Sequence, residues 1–307
     1  MLKLALRRIA ALIPTLLIIV TVSFAIIRLA PGGPFDEEQG VSPAVRANLE
    51  RLYGLDAPLG VQYLRYLHAL AHGDFGPSLR QRDFTVSELI RQGLPLSAAL
   101  GLGAIALALV TGIPGGIAAA LWRSPRADFG FAALGALGVA LPSFVIGPVL
   151  ALLFGVHLGW LPVAGWQPGA ARYLVLPVVT LALPLAVALA RLTRASLLEV
   201  LRAPFVRSAR ARGLGAWRVL TAHALRPALL PVVNYLGPAT AFVVTGSLVV
   251  EAVFGLPGSG RYLVQGAIDR DYPLVMGMVI VYGVLTLLLN LVTDLACGWL
   301  DPGTRHE

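Results

Sequence analysis

The chain has 307 residues, 57 % of them hydrophobic and only 13 % charged, with a formal net charge of +8 at pH 7. Soluble domains carry about 25 % charged residues, so this composition excludes an ordinary soluble domain and places the chain in the membrane class. The basic excess does not indicate nucleic acid, because nearly all the cations are arginines at the ends of apolar runs, where membrane topology accounts for them better.

Lys3, Arg7 and Arg8 precede an apolar run from Ile9 to about Ile27. The order of charge and apolar run suits a signal peptide, but no small-residue cleavage site closes the run and it is too long, so it reads as an uncleaved first span. A bilayer core of about 30 Å needs about 20 apolar residues as a helix. On that length the predicted spans are 9–29, 95–121, 129–154, 173–195, 228–253 and 273–297. A cytoplasmic N-terminus then puts Lys3, Arg7, Arg8, Arg123, Arg126, the arginines from Arg191 to Arg226 and Arg305 inside. Only Arg172, Arg261 and Arg270 remain in the short outer loops, as the positive-inside rule expects.

The connection from about 30 to 94 carries six arginines (46, 51, 65, 80, 82, 91) and eight acids (36, 37, 38, 50, 56, 74, 83, 88), and loops of that length do not orient a chain. Ser42 and Pro43 predict a helix start, with Val45, Leu49 and Leu52 on one face, and a second helical segment runs from about Val61 to a stop at Gly73. His68 and His72 have the spacing of a zinc pair on one helix face, yet Ala69 stands where a HExxH base would be glutamate, so they read as surface histidines.

Glycine and proline recur inside the spans: Gly112, Pro114, Gly115 and Gly116; Pro142, Gly147 and Pro148; Pro177 and Pro184; Pro231, Gly237 and Pro238. Broken helices are one reading, tolerated where protein or a water-filled cavity satisfies the freed backbone. Close packing of helices on small residues is the other. Polar groups in or near the last two spans, Asn234, Thr245, Ser247, Glu251, Tyr282 and Asn290, are candidates to line a path, and each could equally cap a helix or bond a neighbouring span. Glu251 and Asp294 sit near span ends rather than at midplane, which counts against a proton-coupled carrier.

No catalytic or metal-ligating residue is assigned. The only lysine is Lys3, so no Walker A loop with its Gly-Lys pair can exist. There is no G-x-S-x-G elbow, and Ser259 lies in a turn-rich stretch, "GLPGSGRY", with no histidine nearby. The single cysteine, Cys297, permits no intramolecular disulfide.

Between the fourth and fifth spans stands "FVRSARARGLGAWRV", residues 205 to 219. Pro204 suits the first turn of a helix and Gly213 the position just past its end, so the spacing predicts a helix of about two turns. Three uses are open. Its charge would hold anionic lipid; RNA would need interleaved aromatics, of which Trp217 is the one on offer; a partner protein would use Phe205, Val206 and Leu214 as apolar anchors among the arginines.

This stretch, continued to "HALRPALLP", resembles the cytoplasmic loop of permease subunits of binding-protein-dependent ABC importers of the peptide/nickel branch. The likeness extends through "RLAPGGPF" (28–35), "YGLDAPLGVQY" (53–63), "HGDFGPS" (72–78), "LPSF" (141–144), "EAVFGLPGSG" (251–260), "RDYPLV" (270–275) and "DP" (301–302). Within that branch it is nearest to the B-type permeases of bacterial oligopeptide importers. The general importer signature, Glu-Ala-Ala with a glycine four residues after the second alanine, falls on Arg207, Ser208, Ala209 and Gly213, with arginine in place of glutamate.

The resemblance implies an all-α integral membrane protein of the type I ABC importer permease fold, with six transmembrane helices and both termini cytoplasmic. One permease domain then fills 1–307: a first helix (1–29), a periplasmic loop (30–94), a five-helix core (95–297) with a coupling loop at 196–227, and a cytoplasmic tail (298–307). It implies a multi-pass protein of the bacterial cytoplasmic (inner) membrane in which Phe205, Val206, Arg207, Ala209, Arg210, Arg212, Gly213 and Leu214 form a coupling helix seated in an ATP-binding subunit. Implied partners are a second permease of the C type, two ATP-binding subunits of the D and F types, a periplasmic peptide-binding protein, the peptide and membrane lipid, with no nucleic acid. No cofactor is expected on this chain, since ATP and magnesium belong to the partner ATPases. The outer loop 30–94 and "FGLPGSGRY" are the expected contact for the binding protein. Dipeptides, nickel or glutathione are alternative cargoes, and a secondary transporter is the alternative outside the family.

Overall fold

A computed structural model of the protein describes residues 2–29, 54, 56–81, 83–122, 130, 133, 135, 138 and 141–300. The helix expected to start at Ser42 with Val45, Leu49 and Leu52, the arginines Arg123, Arg126 and Arg305, and most of the first half of the third span lie outside the described residues.

The described elements are helical, apart from one isolated bridge between Pro77 and Thr85. In chain order they are α1 (Leu2–Leu29), α2 (Leu59–Ala71), α3 (Val86–Leu121), α4 (Ser143–Leu150) continued by a π-helical turn (Ala151–His157), α5 (Arg172–Val200), α6 (Pro204–Ala211), α7 (Ala216–Val219) followed by a second π turn (Leu220–Ala224), α8 (Leu225–Val253), α9 (Ser259–Ile268) and α10 (Tyr272–Leu300). Among the described residues four stretches are long and apolar enough to cross a bilayer: Ala10–Leu29, Val86–Leu121, Arg172–Val200 and Tyr272–Trp299. α8, with 29 residues, has the length as well. Ile13, Ile18 and Ile26 on α1 are 70 %, 62 % and 63 % exposed, a surface that suits lipid and not water.

Two readings of the spans meet the structure here. The helix that contains the second span begins at Val86, ahead of the span's predicted bound near 95, because Thr85 and Glu88 form a capping box: the Thr85 amide donates to Glu88 Oε2 at 2.8 Å and the Glu88 amide donates to Thr85 Oγ1 at 3.3 Å. Of the two readings of the prolines, the broken helix holds at Pro142, which is extended and caps the start of α4 after a non-helical Leu141, whereas the prolines of α5 and α8 leave their helices continuous. α5 runs unbroken through Pro177 and Pro184, and α8 through Pro231 and Pro238. Among the described residues two further departures from α geometry are the π turns, the second ending three residues before Pro227, where a wider turn relieves the clash between a proline ring and the carbonyl four residues back.

The glycines serve close approach. A Cβ added to Gly112 would lie 2.6 Å from the Ala186 carbonyl oxygen, and one added to Gly116 would collide with the Ala190 carbonyl oxygen, so α3 and α5 meet backbone to backbone on small residues four apart.

The chain divides into two compact units. The first comprises Met1–Leu12, Ser97–Pro257 and Leu285–Glu307, and includes a core of Ala120, Leu197, Leu220, Ala224 and Ala228. The second comprises Ile13–Leu96 and Gly258–Val284, where Val86, Leu89 and Ile90 of α3 pack on Leu274 and Met278 of α10. Gly277 allows that contact, since a Cβ there would stand 2.6 Å from Val86 Cγ1. The predicted α2 segment is present as Leu59–Ala71, and Gly73 beyond it has φ +73.

Candidate functional site

The basic stretch after α5 folds as its residues dictate. Ala203 is extended, Pro204 takes the first helical position where its missing N–H costs nothing, and the helix runs to Ala211. Gly213, at φ +78, stops it: its amide donates to the Arg210 carbonyl at 2.9 Å, while the Leu214 amide donates to the Ala209 carbonyl at 3.4 Å. These two bonds make a Schellman closure. No heavy atom lies within 4 Å of a Cβ built at Gly213, so backbone conformation, and not space, is what requires glycine there.

Packing sorts the predicted residues into two sets. Val206 and Ala209 are fully buried and join Val219 in a small core onto which Val200, Leu201 and Leu214 pack. Phe205 is 48 % exposed, Trp217 is 76 % exposed, and Arg207, Arg210 and Arg212 are exposed. The expectation that Val206 and Leu214 act as anchors for a partner is therefore corrected. They face their own chain because positions 206 and 209 share one side of the helix, and Leu214 follows the closure onto that side. What α6 presents outward is three guanidinium groups and the Phe205 ring.

Two arginines read from the sequence as topological markers have specific partners. Arg194 Nε donates to the Ala119 carbonyl at 3.3 Å near the end of α3, and Arg226 donates to the Trp299 carbonyl at 3.3 Å near the end of α10. Each supplies a cation to terminal carbonyls that lack intrahelical donors.

The candidate path residues do not form one group. Glu251, in the last turn of α8, is fully buried and accepts from Ser97 Oγ at 2.5 Å. Ser247 is buried and donates to the Val244 carbonyl at 2.8 Å. Asn234 is exposed and accepts from Cys297 Sγ at 2.8 Å, while the Asn290 side chain lies against Gly237, 2.8 Å from where a Cβ would be. The Thr245 side chain lies outside the described residues. In the second unit Tyr282 shares a hydrogen bond with Ser259 at 3.1 Å. A cavity of about 380 Å³ in the first unit is lined by other residues, among them Leu107, Thr111, Val179 and Arg191.

Ser259 stands at the end of the turn-rich stretch that "GLPGSGRY" predicted, which occupies 254–258. It begins α9 and is fully buried, because Gly93 of α3 presses on its backbone: a Cβ at Gly93 would lie 2.7 Å from the Ser259 nitrogen. Asp271, which sequence reasoning missed, is 1 % exposed at the start of α10. Its Oδ2 accepts from Ser78 Oγ, from the Leu79 amide at 3.1 Å and from the Arg80 amide at 3.3 Å, and its Oδ1 accepts from the Leu274 amide at 3.3 Å. The signal was an aspartate one residue before a helix start, an N-cap pattern.

Comparison with known proteins covers the whole chain. The family described as "Binding-protein-dependent transport system inner membrane component" matches residues 112–306, and its N-terminal companion matches residues 1–97. The oligopeptide transport system permease protein OppB of Haemophilus influenzae is 47 % identical over 306 residues, covering 100 % of both chains. Its counterpart in Salmonella typhimurium is 46 % identical over the same length. The dipeptide transport system permease protein DppB of Bacillus subtilis is 40 % identical over 297 residues, 96 % of each chain. Among solved structures, the inward-facing MetNI methionine ABC transporter has a chain that superposes with a TM-score of 0.57 at 18 % identity, over 69 % of this chain and 96 % of that one, a likeness of fold.

Proposed function

The chain belongs to the family of binding-protein-dependent transport system inner membrane components, and on that premise we propose that it is the permease subunit of an ATP-driven importer of oligopeptides. The observation that carries the reading is the 47 % identity, end to end, with an oligopeptide permease. The dipeptide permease at 40 % makes dipeptides the second reading for cargo.

Our reading gives the chain six spans, built from α1, α3, the apolar run 129–154 that includes α4 and part of its π turn, α5, α8 and α10, with both termini cytoplasmic in a bacterial inner membrane. The arginines from Arg191 to Arg226 support that orientation. A second, homologous permease subunit completes the path, a soluble binding protein delivers the peptide, and two separate subunits bind and hydrolyse ATP with magnesium. This chain, with no Gly-Lys pair, is the non-catalytic part.

α6 is the coupling helix in this scheme. Phe205, Arg207, Arg210 and Arg212 seat in a groove of an ATP-binding subunit, while Val206, Ala209 and Leu214 hold the helix to its own chain. Closure of the ATP-binding subunits displaces α6. The displacement passes into α5 through Val200 and Leu201 and into α7 through Val219, opening the path outward; hydrolysis resets it.

Copurification tests the assembly: tagged protein should bring down two ATP-binding chains and a second permease, and recovery of this chain alone from mild detergent would count against it. Peptide-stimulated ATPase activity of the reconstituted complex, measured across peptide lengths, separates the two cargo readings.

A further inference from the structure

The second unit holds a cavity of about 240 Å³ that the transport reading leaves unused. Two donors on its wall have no acceptor: Arg28 Nε and the Tyr66 hydroxyl are buried and lack hydrogen-bond partners among the described residues. Both are held around one ring. The Arg28 guanidinium lies over Phe24, 5.4 Å from its centroid, and Tyr66 stacks on the same ring with centroids 6.5 Å apart. Arg65 adds a second cation to the wall and Gln62 an amide, and among the described residues no carboxylate lines the cavity. Burial raises the Tyr66 phenol above its ordinary pKa, so it stays protonated and able to donate.

Buried donors in native proteins nearly always have partners. A guanidinium and a phenol fixed on one aromatic platform, with a further cation and, among the described residues, no anion beside them, form a receptor for an acceptor group. The guanidinium fork matches carboxylate and phosphate oxygens, and a charge-assisted bond is strongest where water is scarce. The volume is slightly below the usual range of about 300–1,000 Å³ for ligand pockets, so it suits a single residue-sized group and not a whole peptide.

We propose that this cavity is a binding site for an oxyanion, a carboxylate or a phosphate, received by Arg28 and Tyr66 under the positive potential of Arg65. Two sources offer that chemistry. A free carboxylate with a small apolar body, such as a peptide terminus, fits the Phe75 and Met276 walls. A lipid phosphate also fits, because Arg28 stands one residue from the end of the apolar stretch Ala10–Leu29, the depth at which headgroups lie.

The proposal does not depend on the transport reading, and its test uses neither ATP nor uptake. The whole complex is placed in nanodiscs of neutral phosphatidylcholine and titrated with N-acetyl-leucine and N-acetyl-leucinamide, with binding read by proton saturation-transfer NMR, and with inorganic phosphate, read by broadening of its phosphorus NMR line. A parallel set containing phosphatidylglycerol is read by native mass spectrometry for retained lipid. At least one anion should bind, the neutral amide should not, and Arg28→Gln should weaken binding by about tenfold or more. Tyr66→Phe keeps the stacking on Phe24, removes one oxygen and should weaken binding severalfold, which keeps the test decisive if Arg28→Gln fails to fold. N-acetyl-leucine bound in neutral nanodiscs identifies a carboxylate site; phosphatidylglycerol retained by the wild type and lost in the variants identifies a lipid site. Equal binding of acid and amide, anion binding indifferent to both substitutions, or no anion bound in either set would overturn the proposal.

Discussion

α6 and the turn that opens α10 are both fastened within their own units, by opposite means. Asp271 draws Ser78, Leu79, Arg80 and Leu274 onto one buried carboxylate. α6 is held by two buried apolar side chains, and its guanidinium groups point outward. The first arrangement satisfies donors internally and fixes a segment in place. The second keeps donors available for another molecule and ties the helix down only enough to move with its neighbours. Substitutions should separate the two, with damage to folding at Asp271 and damage to coupling at α6.

Asp271→Ala should have the largest effect. It leaves the Ser78 hydroxyl and three amides without their acceptor in a buried setting, where each unsatisfied group costs about 1–3 kcal/mol. A loss of about 4 kcal/mol, seen as a lowered melting temperature of the solubilised complex and new protease cleavage in residues 77–85, is expected; an unchanged melting temperature would show that the carboxylate holds nothing. Val206→Ala comes next, at about 2 kcal/mol for a fully buried side chain, and peptide uptake per ATP hydrolysed should fall as α6 loosens.

Gly213→Val should cost about 1–2 kcal/mol through the left-handed backbone it forces on a branched residue. Its functional signature is larger than its thermal one: ATPase activity persists while uptake falls, and normal uptake would remove the Schellman closure from the mechanism. Arg207→Ala and Arg210→Ala should leave stability within about 0.5 kcal/mol, since both side chains are exposed. They should weaken recovery of the ATP-binding subunits at low salt and much less at high salt, where the wild type is screened too. If these two lower the melting temperature of the isolated chain, the contrast with Asp271 fails.

α6 was legible because its start and stop are written in proline and glycine, residues that act through backbone geometry alone. The long apolar runs were legible because lipid demands them. The start of α3 was hidden although Thr85 and Glu88 spell a capping box, because Glu88, Arg91 and Gln92 made its first turns look like loop. The inward turn of Val206 and Leu214 could not be read either: an apolar residue among arginines looks the same whether it meets a partner or its own chain. A local N-cap pattern marks Asp271, but its partners Ser78, Leu79 and Arg80 are distant in sequence, as are the members of the Arg28–Tyr66 pair, and no local pattern gives those contacts.

The contact at Gly112 and Gly116 limits how α5 can move. Two rods touching at bare backbone cannot slide lengthwise without driving a side chain over a carbonyl, but they can tilt about the line of contact, since glycine presents nothing to catch. Ala190 is then a fulcrum, and the ten residues from it to Val200 form a lever of about 15 Å. At that length a tilt of about 4° carries the lever's tip about 1 Å, so a stroke small enough to leave the fulcrum undisturbed would still reset the angle of the whole span.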